Sequence, residues 1–411
     1  MRIKTHLVIT IFFFSISILI PSCVRKKAEW KGTIEEENGV RVVKNPEEPY
    51  YGELVLDLEE DLSIGREDDE NYQFYRVQDL AIDSRGNIYV ADDGNHRVQK
   101  FDHNGNYILT IGRKGQGPGE FTRIYDILID DQDILYVLER RRIQTFNSSG
   151  EYLDGFHLEN SIFDFFLDSD GFIFAVDSVH DEEGRKAKVV KLDSEGKVIK
   201  VCAEYSDQKS VQRKSGETVV TFTATHAYTP ELLLTAMDRQ TFCYAHTLRY
   251  DIFIIDKNGK QTLEIQTDAA SHSITQGEKD YIIKQLEKSI SRRGTKWPKG
   301  VLEEACDFPS SRPFFWGMVA DDYHRLYLWR VKSVLEESKE HTFDVYSKDG
   351  YFIYRIKMGI VPDLLKNGYL YDIAEDEETG EVFVKRYRIK NWNQMKEGFT
   401  GFNHSFGTRI N

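Results

Sequence analysis

Six copies of one short motif, a strand-turn-strand unit behind five of them and an unpartnered N-terminal hairpin predict the fold class. It is an all-β chain, a six-bladed β-propeller closed by its N-terminal strands, with one inserted helix. In the motif an Asp opens a short apolar stretch and a second Asp follows four residues later, before a turn and a run such as Ile-Tyr-Val. The clearest copies are Asp79-Leu-Ala-Ile-Asp83, Asp126-Ile-Leu-Ile-Asp130, Asp164-Phe-Phe-Leu-Asp168 and Asp372-Ile-Ala-Glu-Asp376. Leu234-Thr-Ala-Met-Asp238 and Gly317-Met-Val-Ala-Asp321 keep only the second Asp. All-strand units repeating every roughly 40–50 residues are the signature of propeller blades.

The chain opens with a segment that does not belong to that pattern. Arg2 and Lys4 precede an apolar run, Leu7 to Ile20, too short for the roughly 20 residues that span a bilayer but fitting a signal h-region. Leu19-Ile-Pro-Ser-Cys23 follows, and it resembles the bacterial lipobox. The resemblance implies removal of residues 1–22, a diacylglycerol on Cys23 and a tether over 23–32. Val24 rather than Asp follows the Cys, so the expected destination is the outer membrane, with the lipid anchor as the membrane contact.

From residue 33 onward the elements follow in order, the propeller running over 33–411. Thr33 to Val43 is a hairpin around Asn38-Gly39, and Leu62-Ser-Ile-Gly65 with Phe74 repeats the spacing of Leu109-Thr-Ile-Gly112 with Phe121. Behind each of the first five motifs an alternating strand ends in a turn, such as His103-Asn-Gly105, Asn258-Gly259 or Asp349-Gly350, whose residues suit the φ > 0 positions of a tight hairpin. These are the third and fourth strands of each blade. The sixth unit lacks them, so the N-terminal segment is expected to supply its outer half and close the ring. Arg386 to Asn411 has no place in this scheme.

One insertion, about 266–315, interrupts the strands. Thr275-Gln-Gly-Glu278 reads as a capping box, Ile282, Ile283, Leu286 and Ile290 share a helical face, and Gly294 after Arg292-Arg293 reads as a stop. Two roles are open to this helix: packing on the propeller, or a lid or partner-binding arm.

The first two blades resemble a known repeat. Gly86-Asn-Ile-Tyr-Val-Ala-Asp92 with Asn95-His-Arg-Val-Gln-Lys-Phe-Asp102 is similar to the NHL repeat, a six-bladed propeller unit, and Gly112 to Phe121 is similar to the blade linker of bacterial propeller lipoproteins. The likeness weakens from the third blade onward. Blades of this kind are reused by ligand-binding scaffolds, peptide-amidating lyases and lactonase-like hydrolases, so the resemblance implies a fold and not one activity.

The bulk charge narrows the partners. The formal −14 becomes about −16 without the leader, which excludes nucleic-acid binding through phosphate contacts. Beyond Cys23 three cysteines remain, Cys202, Cys243 and Cys306, with no metal-ligand spacing and the expectation of buried structural thiols.

Candidate site residues follow from the repeat. If the motif is the innermost strand of a blade, Asp79, Asp126, Asp164 and Asp372 form a partial carboxylate ring at the mouth of the central channel, with Leu234 and Gly317 in the two remaining places. Such a ring either recruits a cation, for which hard oxygen ligands suit calcium, or accepts backbone hydrogen bonds from neighbouring blades. His96, Arg97, Arg141 and Arg142 occupy turns on the same face, either as a basic rim for an anionic ligand or as solvated loop charges. His226 and His246 are the alternative metal ligands, with His272 and His324 scattered elsewhere, and Trp316 and Trp329 are candidates to stack on a sugar. No G-x-S-x-G, H-E-x-x-H or phosphate-loop motif is present. The favoured expectation is a lipid-anchored scaffold binding an envelope protein, peptide or glycan. The alternative is a metal-dependent hydrolase or lyase of the NHL or lactonase-like type.

Overall fold

The structure, a computed structural model, describes residues 30–399 except 67, 181–183, 216–217, 293, 295–296, 299 and 377. The leader and Cys23 lie outside the described residues. The rest forms six blades around a central channel. Blade one runs from the inside outward as Val77–Ile82, Ile88–Asp92, Arg97–Phe101 and Tyr107–Ile111. Blade two is Asp126–Ile129, Leu135–Glu139, Arg142–Phe146 and Tyr152–His157, and blade three is Ile162–Leu167, Ile173–His180, Gly184–Leu192 and Val198–Lys209. Blade four is built on Leu232–Asp238, Thr241–His246, Asp251–Asp256 and Gln261–Thr267, and blade five on Phe315–Ala320, Leu326–Arg330, His341–Tyr346 and Phe352–Met358.

The second Asp of each motif explains why the turns recur. One Asp83 oxygen accepts the N–H groups of Arg85 and Asn87 at 3.0 and 2.8 Å, and Asp130, Asp168 and Asp321 repeat the arrangement. The side chain thus closes the turn between the first and second strands. Its other oxygen accepts a Tyr hydroxyl six residues on, from Tyr89, Tyr136 and Tyr327 at 3.5, 3.4 and 2.8 Å. Between blades the apolar faces interlock: Tyr89, Val98 and Phe121 of the first sheet and its linker pack on Ile127, Val137 and Phe146 of the second.

Closure differs from the expectation in an instructive way. Blade six is Leu364–Lys366, Tyr369–Glu375, Val382–Ile389 and, outermost, Leu58–Ile64. The C-terminal region therefore supplies three strands and the N-terminal region one, because Leu364–Lys366 is a three-residue strand ending in an Asn367-Gly368 hairpin with both φ angles positive. The Thr33–Glu37 and Val40–Asn45 hairpin does not reach blade six. It extends blade four, Val40–Asn45 running parallel to Gln261–Thr267, while Glu53–Val55 runs parallel to Phe352–Met358 on blade five. The N-terminal segment clasps three successive blades in turn.

The insertion occupies 268–314, since Gln266, Thr267 and Phe315 belong to strands. It holds helix α1, Gln276–Arg292, and a short helix α2, Val301–Ala305. Ile283, Leu286 and Ile290 pack on Val301, Leu302 and Cys306, and on the hairpin Val211–Ser215 and Thr218–Phe222 that leaves blade three. A third helix, α3, spans Trp392–Phe399. Trp392 lies over the buried Arg325 guanidinium at 4.4 Å, which gives part of the C-terminal segment its place. Cys202, Cys243 and Cys306 are free thiols, the last two buried. No helix of the described residues is long and apolar enough to cross a membrane.

Candidate functional site at the upper channel mouth

The innermost strands all begin at one face, called the upper face below, and their first hairpins turn at the other. A cavity of ≈ 600 Å³ follows the axis between them. Asp79, Asp126 and Asp164, from blades one to three, line it. Asp372 does not. It stands on the second strand of blade six, across from Lys385, and the channel position is taken by Asp363, just ahead of the short innermost strand. The Asn367-Gly368 turn was the available signal for that strand. Leu234 and Gly317 fill the places on blades four and five, backed by Met318, Trp329 and Phe343. The channel therefore has an acidic arc facing an apolar, aromatic arc.

Asp79 and Asp126 are built into the blade-to-blade contacts, and Asp363 into its own blade. Asp79 accepts the Ile127 N–H at 2.9 Å and Asp126 the Phe165 N–H at 3.1 Å, each from the next blade, and Asp363 accepts the Ile373 N–H at 2.7 Å. Withdrawal from bulk water inside the channel raises all four above their ordinary values. Asp363 rises to about 6 and Asp164, with the Asp79 charge adding to that desolvation, to about 7. Asp126 goes well above the range, through burial, the charges of Asp79 and Asp164, and its hydrogen bond to Asp79. Asp79 is raised by burial against the opposing pull of its hydrogen bonds. Asp79, Asp126 and Asp164 lie close enough to titrate as one group, and the cluster as a whole holds on to protons more tightly than free carboxyls do.

Among the described residues no three His, Cys, Asp or Glu side chains are gathered to hold a metal ion. Backbone N–H groups of neighbouring strands reach Asp79, Asp126 and Asp363. His226 and His246 are not brought to a common centre either. The His226 ring stacks on Phe308 at 4.5 Å and its Nδ1 accepts the Tyr228 N–H, whereas His246 stacks on Tyr205 at 4.8 Å; burial lowers both to about 4.

The basic turns have architectural work. Arg97 pairs with buried Asp92 at 3.0 Å and donates to the Glu70 and Gln73 carbonyls. Arg142 donates to Glu139 and to the carbonyls of Gln116 and Glu120, and Arg141 to those of Leu158 and Glu159. His96 takes a left-handed backbone (φ 57°) at the end of a single 3-10 turn. The three arginines brace the loops between blades.

Two further cavities open on the upper face over blades four and five. One, of ≈ 340 Å³, is lined by His226, Thr229, Glu231, Pro313, Trp316 and Trp329, and the other, of ≈ 280 Å³, by Trp329, Arg330, Lys332, His341 and Arg355 among others. The wall is anchored by Glu278, a residue read from sequence only as half of a capping box. It does cap α1, accepting the Thr275 N–H and hydroxyl at 2.9 Å each, and it also accepts Tyr228 Oη at 2.6 Å, Ser333 Oγ at 2.7 Å and Arg312 Nη2 at 3.2 Å. Burial alone would raise this carboxyl, but those donors hold it down at about 2. The insertion is thus tied to the loops of both blades.

Comparison with known proteins bears on family rather than chemistry. No curated protein matches the chain. A protein of Bacteroides fragilis described as exported is similar in fold at 13% identity, covering 85% of this chain and 99% of its own, with a TM-score of 0.49. A DUF4221 family member from Bacteroides vulgatus is 11% identical, covering 82% and 99%, with a TM-score of 0.44. Virginiamycin B lyase from Staphylococcus aureus is 10% identical, covering 81% and 99%, with a TM-score of 0.39. Likenesses this distant carry no argument about activity. Residues 76–398, nearly all of the ring, match a single family description, and the chain accordingly belongs to DUF4934, a domain of unknown function.

Proposed function

We propose that this protein is a binding propeller of the bacterial cell envelope, held to the outer membrane through lipidated Cys23, which captures an envelope protein, peptide or glycan at its upper face. The observation that carries the reading is the meeting of three cavities on that face, the largest continuing down the axis. A concave, mixed polar and aromatic site of this size is what ligand recognition requires. The scaffold is favoured over the metal-dependent enzyme because the channel carboxyls are engaged with neighbouring N–H groups and with each other, and the two histidines serve separate packing contacts.

One experiment in cells tests both parts. A benzophenone side chain replaces Leu335, an exposed residue of the upper-face loop between the second and third strands of blade five, or Tyr323, exposed in the lower-face turn. The full chain is also labelled with palmitate. Palmitate incorporation that depends on Cys23, with a photo-adduct from position 335 and none from 323, is the expected result. Absent label would overturn the anchor, and equal or absent adducts at the two positions would overturn the upper-face site.

A further inference from the structure

The three upper cavities meet at one side chain, Trp329, and they do so because another side chain is missing. Trp329 stands on the second strand of blade five, directly opposite Gly317 on the innermost strand. Blades one to three carry an Asp at this level. A Cβ built on Gly317 would meet a single atom within 4 Å, on the Trp329 ring at 3.8 Å, and Gly317 is not among the glycines with positive φ. What glycine provides here is therefore space. It leaves a window through which the indole faces the channel.

The indole is held before any ligand arrives. It makes edge contacts with Trp316, centroids 5.0 Å apart, and with His341 at 5.4 Å. Trp316 is fixed in turn by its Nε1–H donating to the Ala227 carbonyl at 2.9 Å, and it packs on the cluster of Tyr228 and Ile282. Hydrogen-bonding groups flank the platform on both sides. Asp164 and Asp363 open onto the channel space, and His341 Nδ1 is buried with no hydrogen-bond partner. The outer cavity carries no strong net charge of one sign: Arg330 and Arg355 are both committed to buried Asp344 at 2.8 Å, and Glu336 and Glu340 share it with Lys332 and Lys357.

We infer that Trp329 and the Gly317 window form a saccharide subsite, which takes the pyranose ring of a neutral glycan. Its apolar C–H face lies on the indole and its hydroxyls turn toward the channel carboxyls and His341. A rigid aromatic face with hydrogen-bonding groups around it matches a ring that is apolar on its faces and polar at its edge. An anionic sugar would meet the acidic arc and be disfavoured. The inference rests on the upper-face reading above and deepens it.

Saturation-transfer NMR on the purified full chain tests it with cellotriose, maltotriose, mannotriose, xylotriose, chitotriose and digalacturonate as probes. At least one neutral trisaccharide should bind, with affinity falling about tenfold or more in Trp329→Ala. Gly317→Leu, which fills the window and leaves the indole in place, should weaken binding equally, while Arg141→Ala should leave it unchanged. The inference is overturned if no neutral sugar binds, if digalacturonate alone binds, or if folded Gly317→Leu binds as the wild type does. A Leu335 photo-adduct without sugar binding would remove the saccharide assignment and leave the upper-face reading intact; loss of both would remove both.

Discussion

Asp126 shows how a residue repeated for architecture acquires unusual electrostatics. Its backbone acceptor role is the same as that of Asp79, yet burial and the charges of Asp79 and Asp164 raise it well above the ordinary carboxylate range. A carboxyl whose folded pKa is raised is tolerated while protonated. The unfolded chain releases its proton near pH 4 and the folded chain only later, so stability declines as pH rises above about 4. Asp126→Asn keeps the acceptor and removes the titration. Its melting temperature should exceed the wild type's at pH 8 by roughly 1–2 °C, the shift about 1 kcal/mol produces in a domain of this size, and the gain should vanish at pH 4. Calorimetry at the two pH values checks this; equal shifts at both would refute the raised carboxyl. Glu278 has the opposite sign. Its depressed carboxyl stabilises the fold fully above pH 4–5, and that contribution fades as pH falls toward 2. Glu278→Ala strands Tyr228, Ser333 and Arg312 and should cost about 3–5 kcal/mol at neutral pH. Urea unfolding followed at α1 should show that difference shrinking by pH 2.5.

At the scale of elements, the N-terminal strands make contributions of different kinds. Thr33–Glu37 is exposed along its whole length and adds the edge of the six-stranded sheet, where Glu35, Glu36 and Glu37 discourage pairing with another chain. Val42 and Val43 of the next strand are buried against the outer strand of blade four. Leu58–Ile64 is the outer wall of blade six, with Ile64 buried among Phe74, Leu80 and Val384. Phe121 shows how the following linkers work: its ring covers Gly112, where a Cβ would approach within 2.1 Å and where φ is +77°. An internal deletion of 30–45 should therefore lower stability by a few kcal/mol while leaving one cooperative transition, because it strips an added edge.

Extending that deletion to residue 64 acts on the whole molecule. It removes the only described strand that joins the two ends of the ring, so blade six loses its outer wall and the interface with blade one opens. Unfolding should then split into separate transitions or lose its cooperativity, as measured by circular dichroism against denaturant. A single transition at the wild-type midpoint would show that closure does not depend on this strand. The intact ring is unequal around its axis. Blades six and one to three carry the acidic arc, while blades four and five carry the insertion and the Trp329 cleft. The side of the propeller that departs most from the repeat is the side on which ligand recognition is proposed.

What the residue order determined by itself was the local and repetitive part of this fold. Six blades, the Asp-closed turns, the Asn38-Gly39 hairpin and the α1 capping box depend on residues a few positions apart, whose spacing sets their geometry directly. Asp79, Asp126 and Asp164 could be placed at the channel because three blades keep the same register. Asp363 could not, since a three-residue strand is too short to show alternation, and Asp372 stood in a convincing copy of the motif one strand too far out. Tertiary structure alone decided that Arg97, Arg141 and Arg142 brace loops, that Glu278 joins two blades, and that the missing side chain of Gly317 uncovers Trp329. Each of these depends on groups from segments that only ring closure brings together, and no spacing along a chain encodes what will stand opposite an empty place.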